Sequence, residues 1–285
     1  MKQFLTIVNT AGLPIETRLN VETFLQHSGV QVEEMRQLDC AVDVVFTGSV
    51  AAAEVSAWAG PRHLDFALQN AATRKKKLLI SDMESTLVKN EFLDDLAALC
   101  GVGDHVKAIT TRAMNGEIDF AESLRERVKL LAGQPVGLLE RAYDHLQWMP
   151  GAKELFDTLK LHEIRTILVS GGFKFFTSRV REILGAGEDH SNDLVIENDT
   201  LTGKPVEPVA GRDEKKRILE TTAAAMGISL AETAAIGDGA NDLPMLLTAG
   251  LGVAYHAKPS VNAAANYRIQ HSDLRAILYF MGLVQ

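Results

Sequence analysis

Cysteine is nearly absent: the 285 residues hold only Cys40 and Cys100. The two have no metal-ligand spacing, so neither a zinc site nor a disulfide framework is supported, and buried, reduced thiols are expected at both positions. Long hydrophobic runs are also missing. No window approaches the ~20 apolar residues of a membrane span. The opening segment, Met1-Lys2-Gln3-Phe4-Leu5-Thr6-Ile7-Val8, is too short an apolar stretch for a signal peptide. A cytoplasmic protein with no membrane partner is the expectation. Positive charge is in deficit, with 29 Lys and Arg against 37 Asp and Glu and a formal net charge of -8, which argues against a general role on nucleic acid. Eight histidines occur, none paired with another at helical spacing, so none is assigned to a metal. Internal repeats and low-complexity segments are absent.

What is present is an ordinary globular composition, 46% hydrophobic, ample for a packed core. Residues 2 to about 60 read as a small βαβ-type unit, with strands over 4–8 and 41–46 and helices over 21–27 and 51–59. The cationic run Arg74-Lys75-Lys76-Lys77 lacks interleaved aromatics and reads as a solvated linker end. From Leu78 onward, short apolar strands (78–80, 164–169, 234–236, 251–254) alternate with amphipathic helices (152–161, 214–226), the pattern of a parallel sheet covered on both faces. The stretch from 87 to 149 is mostly helical and too long for a plain crossover, so it reads as an inserted cap. Pro150-Gly151 marks the return to the core. The fold class expected is therefore α/β: a Rossmann-like parallel sheet with a mainly helical cap at about 88–149, spanning 76–285, behind a small α+β unit at 1–75.

Two acidic loops stand out. Asp82-Met83-Glu84-Ser85-Thr86 follows the strand Leu78-Leu79-Ile80, and Gly237-Asp238-Gly239-Ala240-Asn241-Asp242 follows Ala234-Ala235-Ile236. Strand C-termini in an open α/β sheet face one crevice, so carboxylates there can converge on a hard cation and a phosphate. Asp82 is placed to attack phosphorus, and Glu84 to protonate the leaving oxygen and then activate water. Asp238 and Asp242 can hold Mg²⁺. Taken singly, each feature has a plainer explanation: a turn or cap for Asp82, dipole partners at a helix N-terminus for Asp238 and Asp242. Ser170-Gly171-Gly172, after Ile167-Leu168-Val169, offers a hydroxyl and exposed amides to phosphate at a strand-to-helix turn.

Together, Asp82 to Thr86, Val169 to Gly172, Lys215 at the head of a helix, and Gly237 to Asp242 resemble, in order and spacing, the four motifs of the haloacid dehalogenase-like phosphohydrolases. Within that superfamily the chain from about Leu78 is similar to the phosphoserine phosphatases. The resemblance implies Mg²⁺-dependent hydrolysis of O-phospho-L-serine, the last step of serine biosynthesis, through an aspartyl-phosphate on Asp82. Asp82, the carbonyl of Glu84, and Asp238 with Asp242 would hold the metal. Lys215, Ser170, Gly171 and Asn241 would bind the phosphate. It further implies that Glu91 receives the substrate ammonium and Arg127 its carboxylate, while Met114 and Phe120 close over it; without the resemblance, Arg127 reads as an exposed helix cation and the other two as packing. An amino-acid-binding regulatory unit of the ACT type, or an oligomerisation module supporting a homodimer, is implied for residues 1–75.

One position departs from the family pattern. Glu84 stands where the family has aspartate, and its carboxyl reaches one methylene further. Two alternatives follow: a phosphatase or phosphotransferase for another small phosphomonoester, and a weakly catalytic amino-acid sensor.

Overall fold

In the computed structural model, residues 2–115, 117–211 and 213–284 are described. The chain opens with β1 (Lys2–Val8), α1 (Thr17–His27), β2 (Gln31–Gln37), β3 (Ala41–Thr47), α2 (Ala52–Ala59) and β4 (Asp65–Asn70). After β5 (Leu78–Ser81) come four helices, α3 (Phe92–Leu99), α4 (Gly103–Met114), α5 (Phe120–Lys129) and α6 (Gly137–Tyr143). The chain returns through α7 (Ala152–Leu161), β6 (Arg165–Phe173), α8 (Lys174–Leu184) and β7 (Glu188–Asn192). A hairpin follows, β8 (Leu194–Glu197) and β9 (Thr200–Pro205), then α9 (Glu214–Ala225) and β10 (Thr233–Gly237). The last elements are α10 (Leu243–Thr248), β11 (Leu251–Tyr255), α11 (Pro259–Ala264), β12 (Tyr267–Ile269) and α12 (Ala276–Met281).

Strand order decides where a site can form. The main sheet runs β2-β3-β1-β4-β12-β11-β10-β5-β6-β7, and its stretch from β12 to β7 is parallel throughout. Chain order runs outward from β5 to β7 on one side and from β10 to β12 on the other, so the topology switches between β5 and β10. Open α/β sheets bind their ligands at such a switch, outside the strand C-termini. Both switch strands are buried along their whole length. Leu79 and Ile236 pack into the core on one face, and Leu78, Ile80 and Ala235 into the core on the other, which is why these strands read as unbroken apolar runs. Ser81 pairs with Ile236, and the Asp82 N–H donates to the Ile236 carbonyl at 2.9 Å, so the two acidic loops leave the sheet side by side.

The N-terminal unit differs from the βαβ expectation. Its strands are antiparallel, in the order β2-β3-β1-β4, and β2 and β4 were not foreseen. Strand β2 (QVEEMRQ) is an exposed edge bearing three charges, and β4 (DFALQN) has polar residues at both ends, so neither stands out from loop in the sequence. The basic run also differs from a solvated linker end. Arg74 and Lys76 are buried; burial pushes the Lys76 ammonium down to about 8, and it donates to the carbonyls of Thr73 (2.6 Å) and Ala231 (2.7 Å). Cys40 is buried as expected, but Cys100 is only half-buried.

The N-terminal sheet meets the parallel sheet through one residue pair, Phe66 with Arg268. Side chains supply the rest of the seam. The Arg74 guanidinium grips Asp43 with two bonds of 2.8 Å, donates to the carbonyls of Tyr279 (2.9 Å) and Phe280 (3.2 Å), and lies over the Phe4 ring. Asp65 accepts from the backbone amides of Gln270, His271 and Ser272 at 2.7–3.0 Å. Losing one partner of a buried ion pair strands the other, at a cost of about 3–5 kcal/mol. Arg74→Ala should therefore lower unfolding stability in urea by roughly that amount. Adding Asp43→Ala should cost much less than the sum of the two single changes; strict additivity would show that the pair is not coupled.

Candidate active site

Asp82 sits one residue beyond β5, fully inside the protein. Its Oδ1 accepts the Met83 N–H at 2.8 Å and lies 2.8 Å from Lys215 Nζ. Lys215, buried in the first turn of α9, also reaches Asp242 Oδ1 at 2.5 Å. Asp242 Oδ2 accepts the Gly239 N–H at 2.9 Å, folding the second acidic loop back on itself. The loop closes so tightly that a Cβ on Gly237 would lie 2.4 Å from Asp242 Cγ, which leaves glycine as the residue that fits. Thr86 Oγ1 donates to Asp238 Oδ1 at 3.4 Å, tying the first loop to the second.

Carboxylate oxygens of Asp82, Asp238 and Asp242 all lie within 4.8 Å of one another. Burial and the charge of Asp242 raise the Asp82 carboxyl well above its ordinary value, against the pull of Lys215. Burial and Asp242 likewise push Asp238 up to about 6. Burial pulls Lys215 down, but Asp242 and then Asp82 outweigh it and hold its ammonium above the ordinary value. Three carboxylates against one ammonium is an electrostatic imbalance, and the donor set is all oxygen. A hard divalent cation fits both facts.

Glu84 occupies the opposite wall. Its Oε1 accepts the Phe92 N–H at 2.8 Å, at the start of α3, and its Oε2 accepts Ser170 Oγ at 3.3 Å. A Cβ on Gly172 would lie 2.5 Å from Glu84 Oε2, so the bare glycine makes room for the longer acid. Burial first, then Glu91, pushes the Glu84 carboxyl up to about 7. Ser170 and Gly171 lie within the end of β6 rather than in a turn after it; the ladder to β7 breaks between Val169 and Phe173, and Ser170 Oγ accepts the Gly172 N–H at 2.9 Å. Ser85, at a positive φ of 54°, aims its hydroxyl at Glu91 Oε1, 2.7 Å away.

The cap supplies the far end. Asp119 accepts the Glu122 N–H at 2.7 Å and starts α5, which carries Phe120 and Arg127. Phe120 reaches the phosphate motif: a Cβ on Gly171 would lie 3.2 Å from its ring. Arg127 Nε donates to the Ser123 carbonyl at 3.2 Å, and the guanidinium makes no ion pair among the described residues. Burial pulls Arg127 below its ordinary value while Asp94, Glu84 and Glu91 push back, so these carboxylates surround it. The protein around Glu91, followed by Asp94, raises its carboxyl, an effect limited by the solvent that reaches it. The side chain of Met114 lies outside the described residues. Asn241 faces the same cavity as Ser170, Gly171, Phe120 and Lys215.

Lys258 was not anticipated. It follows β11, its N–H donates to the Asp238 carbonyl at 3.4 Å, and its charge acts on both Asp238 and Glu91. No sequence motif marked it, because its place depends on the neighbouring strand.

The chain is similar to known proteins. The family model for haloacid dehalogenase-like hydrolases matches residues 76–250. A phosphoserine phosphatase of Archaeoglobus fulgidus is 46% identical over 213 residues, which are 74% of this chain and 62% of that protein's own length. One from Lactococcus lactis is 42% identical, over 72% of this chain and 95% of its own. Among solved structures, a probable phosphoserine phosphatase from Vibrio cholerae superposes with a TM-score of 0.83 at 32% identity, covering 99% of this chain and 86% of its own.

The acidic cluster makes a measurable demand. Millimolar Mg²⁺ should raise the melting temperature, because a ligand that binds only the folded state at ~100 times its Kd adds about 2.7 kcal/mol. Asp238→Asn should erase the Mg²⁺-dependent rise; a rise of unchanged size in that variant would place the cation elsewhere.

Proposed function

Because the chain belongs to the haloacid dehalogenase-like hydrolases and, within them, to the phosphoserine phosphatase family, we propose that it hydrolyses O-phospho-L-serine to L-serine and phosphate. The observation that carries this reading is the meeting of Asp82, Asp238 and Asp242 around Lys215 at the topological switch, with Glu84 across the gap.

In the first step an Asp82 carboxylate oxygen attacks phosphorus, and the bond to the serine oxygen breaks. Glu84 enters neutral and gives that oxygen its proton, the state that burial favours up to about pH 7. In the second step Glu84, now ionised, takes a proton from water as the water attacks the aspartyl-phosphate, and both carboxyls return to their starting states. Lys215 holds Asp82 in place and faces the charge on the phosphoryl group. Ser170, Gly171 and Asn241 bind the phosphoryl oxygens. Mg²⁺, held by Asp82, Asp238, Asp242 and the Glu84 carbonyl, would neutralise phosphoryl charge.

At the other end, Arg127 would take the substrate carboxylate in a bidentate fork, as a half-buried guanidinium with no ion pair among the described residues is suited to do. Glu91 would take the ammonium, and Phe120 with Met114 would cover the substrate. A sensor without turnover is less favoured, because Glu84 retains hydrogen-bond reach to Ser170 and a protonation state matched to acid catalysis. We assign residues 76–285 to the catalytic unit, with the cap at 88–149. Residues 1–75 we read as a regulatory or dimer-forming unit, in a cytoplasmic enzyme.

Phosphate release from O-phospho-L-serine with Mg²⁺, set beside a panel of other phosphomonoesters, tests this directly. Selective release from phosphoserine is expected, and turnover of the panel but not of phosphoserine would sink the substrate assignment. Since Glu84 must be protonated and Asp82 ionised in the free enzyme, kcat/KM should fall on the acid side as Asp82 and Asp238 take up protons and fall again as pH rises through about 7. Glu84→Gln should lower kcat about 10²–10⁴-fold and remove that limb; an unaltered limb would assign it to another group. Arg127→Ala should raise KM for phosphoserine far more than for a phosphoester lacking a carboxylate, and equal changes for both would deny it the recognition role.

A further inference from the structure

A cavity of about 380 Å³ opens onto the phosphate end of the site from the flank of the sheet. Ser170, Gly171, Lys215 and Asn241 form its inner end, and its outer wall includes His190, Ala210 and Gly211. Phe120 borders the inner end beside Gly171, but Glu84, Glu91 and Arg127 are not among its walls, so the cavity reaches the phosphoryl position without passing the charged residues that read the amino acid.

The cap side is closed by comparison. Phe120 lies against Gly171, and Phe92 at the head of α3 stacks on Phe176 of α8 with ring centroids 3.9 Å apart. Arg125 of α5 binds both oxygens of Glu207 at 2.7 and 3.1 Å, and Arg179 of α8 binds Glu140 of α6 at 2.6 Å. Two acids along the flank already have partners: Asp189 is bound by Lys174 at 2.8 Å and Arg181 at 3.2 Å, and Glu214 pairs with Arg217. A third acid on the wall, Asp193, accepts the Leu194 N–H at 2.8 Å and has no cationic partner among the described residues, so a phosphate moving along this wall meets one uncompensated negative charge.

We propose that this flank cavity is a separate passage for inorganic phosphate, through which the second product leaves while the cap stays closed, serine and phosphoserine using the cap side. The inference rests on the phosphatase reading given above. Gly211 is the position to probe, because a Cβ there meets nothing within 4 Å and the residue has no part in the chemistry.

Oxygen washout from ¹⁸O-labelled inorganic phosphate reports passage of phosphate alone. Asp82 attacks the bound phosphate, one oxygen leaves as water, and solvent water then restores phosphate with that oxygen replaced. Gly211→Trp should slow washout severalfold, while exchange of labelled serine into phosphoserine stays at the wild-type rate and Gly211→Ala matches wild type in both assays. Washout unchanged in Gly211→Trp, or both exchanges falling in step, would overturn the passage. The washout assay needs no phosphoserine. A wrong substrate assignment would therefore appear as absent serine exchange in the wild type, whereas the passage stands or falls on washout.

Discussion

The site depends on a surplus of buried negative charge. Asp82, Asp238 and Asp242 are packed around one ammonium, and burial makes the ionised carboxylates of Asp82 and Asp238 costly. The sheet imposes this crowding, since parallel strands β5 and β10 end together and their loops have nowhere else to go. Such an arrangement holds its shape through Lys215 and the loop amides, and it gains from any cation or electrophile that relieves the repulsion. Binding and chemistry thus draw on the same strain.

Glu84 shows how a departure from a family pattern can be absorbed by its surroundings. One extra methylene would push a carboxyl into the opposite wall. Here the wall has no Cβ at Gly172, and the added reach places Oε1 on the first amide of α3. The acid is consequently held between the cap and the phosphate motif, within reach of both. A residue that in sequence looks like a weakness becomes a strut between two parts of the protein.

How much of this was legible beforehand follows from where each interaction closes. Asp82, Glu84, Ser170, Lys215 and Asp238 were legible because each lies in the end of a buried apolar strand, just past one, or at a helix start, and the strand ends share one crevice. The antiparallel N-terminal sheet was not, because β2 is a charged edge and β4 is short with polar ends. Burial of Arg74 and Lys76 was hidden for a different reason. Their partners are Asp43, far back along the chain, and backbone carbonyls including that of Ala231, and nothing in a run of four cations marks which of them turn inward. Lys258 escaped notice likewise, since its neighbours Asp238 and Glu91 come from other loops.

The seam at Phe66 and Arg268 has a wider meaning. A ten-stranded sheet joined at its middle by one residue pair is held together there by Asp65, on the amides of residues 270–272, and Arg74, on the carbonyls of Tyr279 and Phe280, rather than by a backbone ladder. A ladder ties two halves through every residue of both strands, whereas a few side-chain clasps can be gained or lost by point mutation. Such a junction can be loosened by a single substitution while the parallel ladder from β12 to β7, which carries the site, keeps its own backbone bonds.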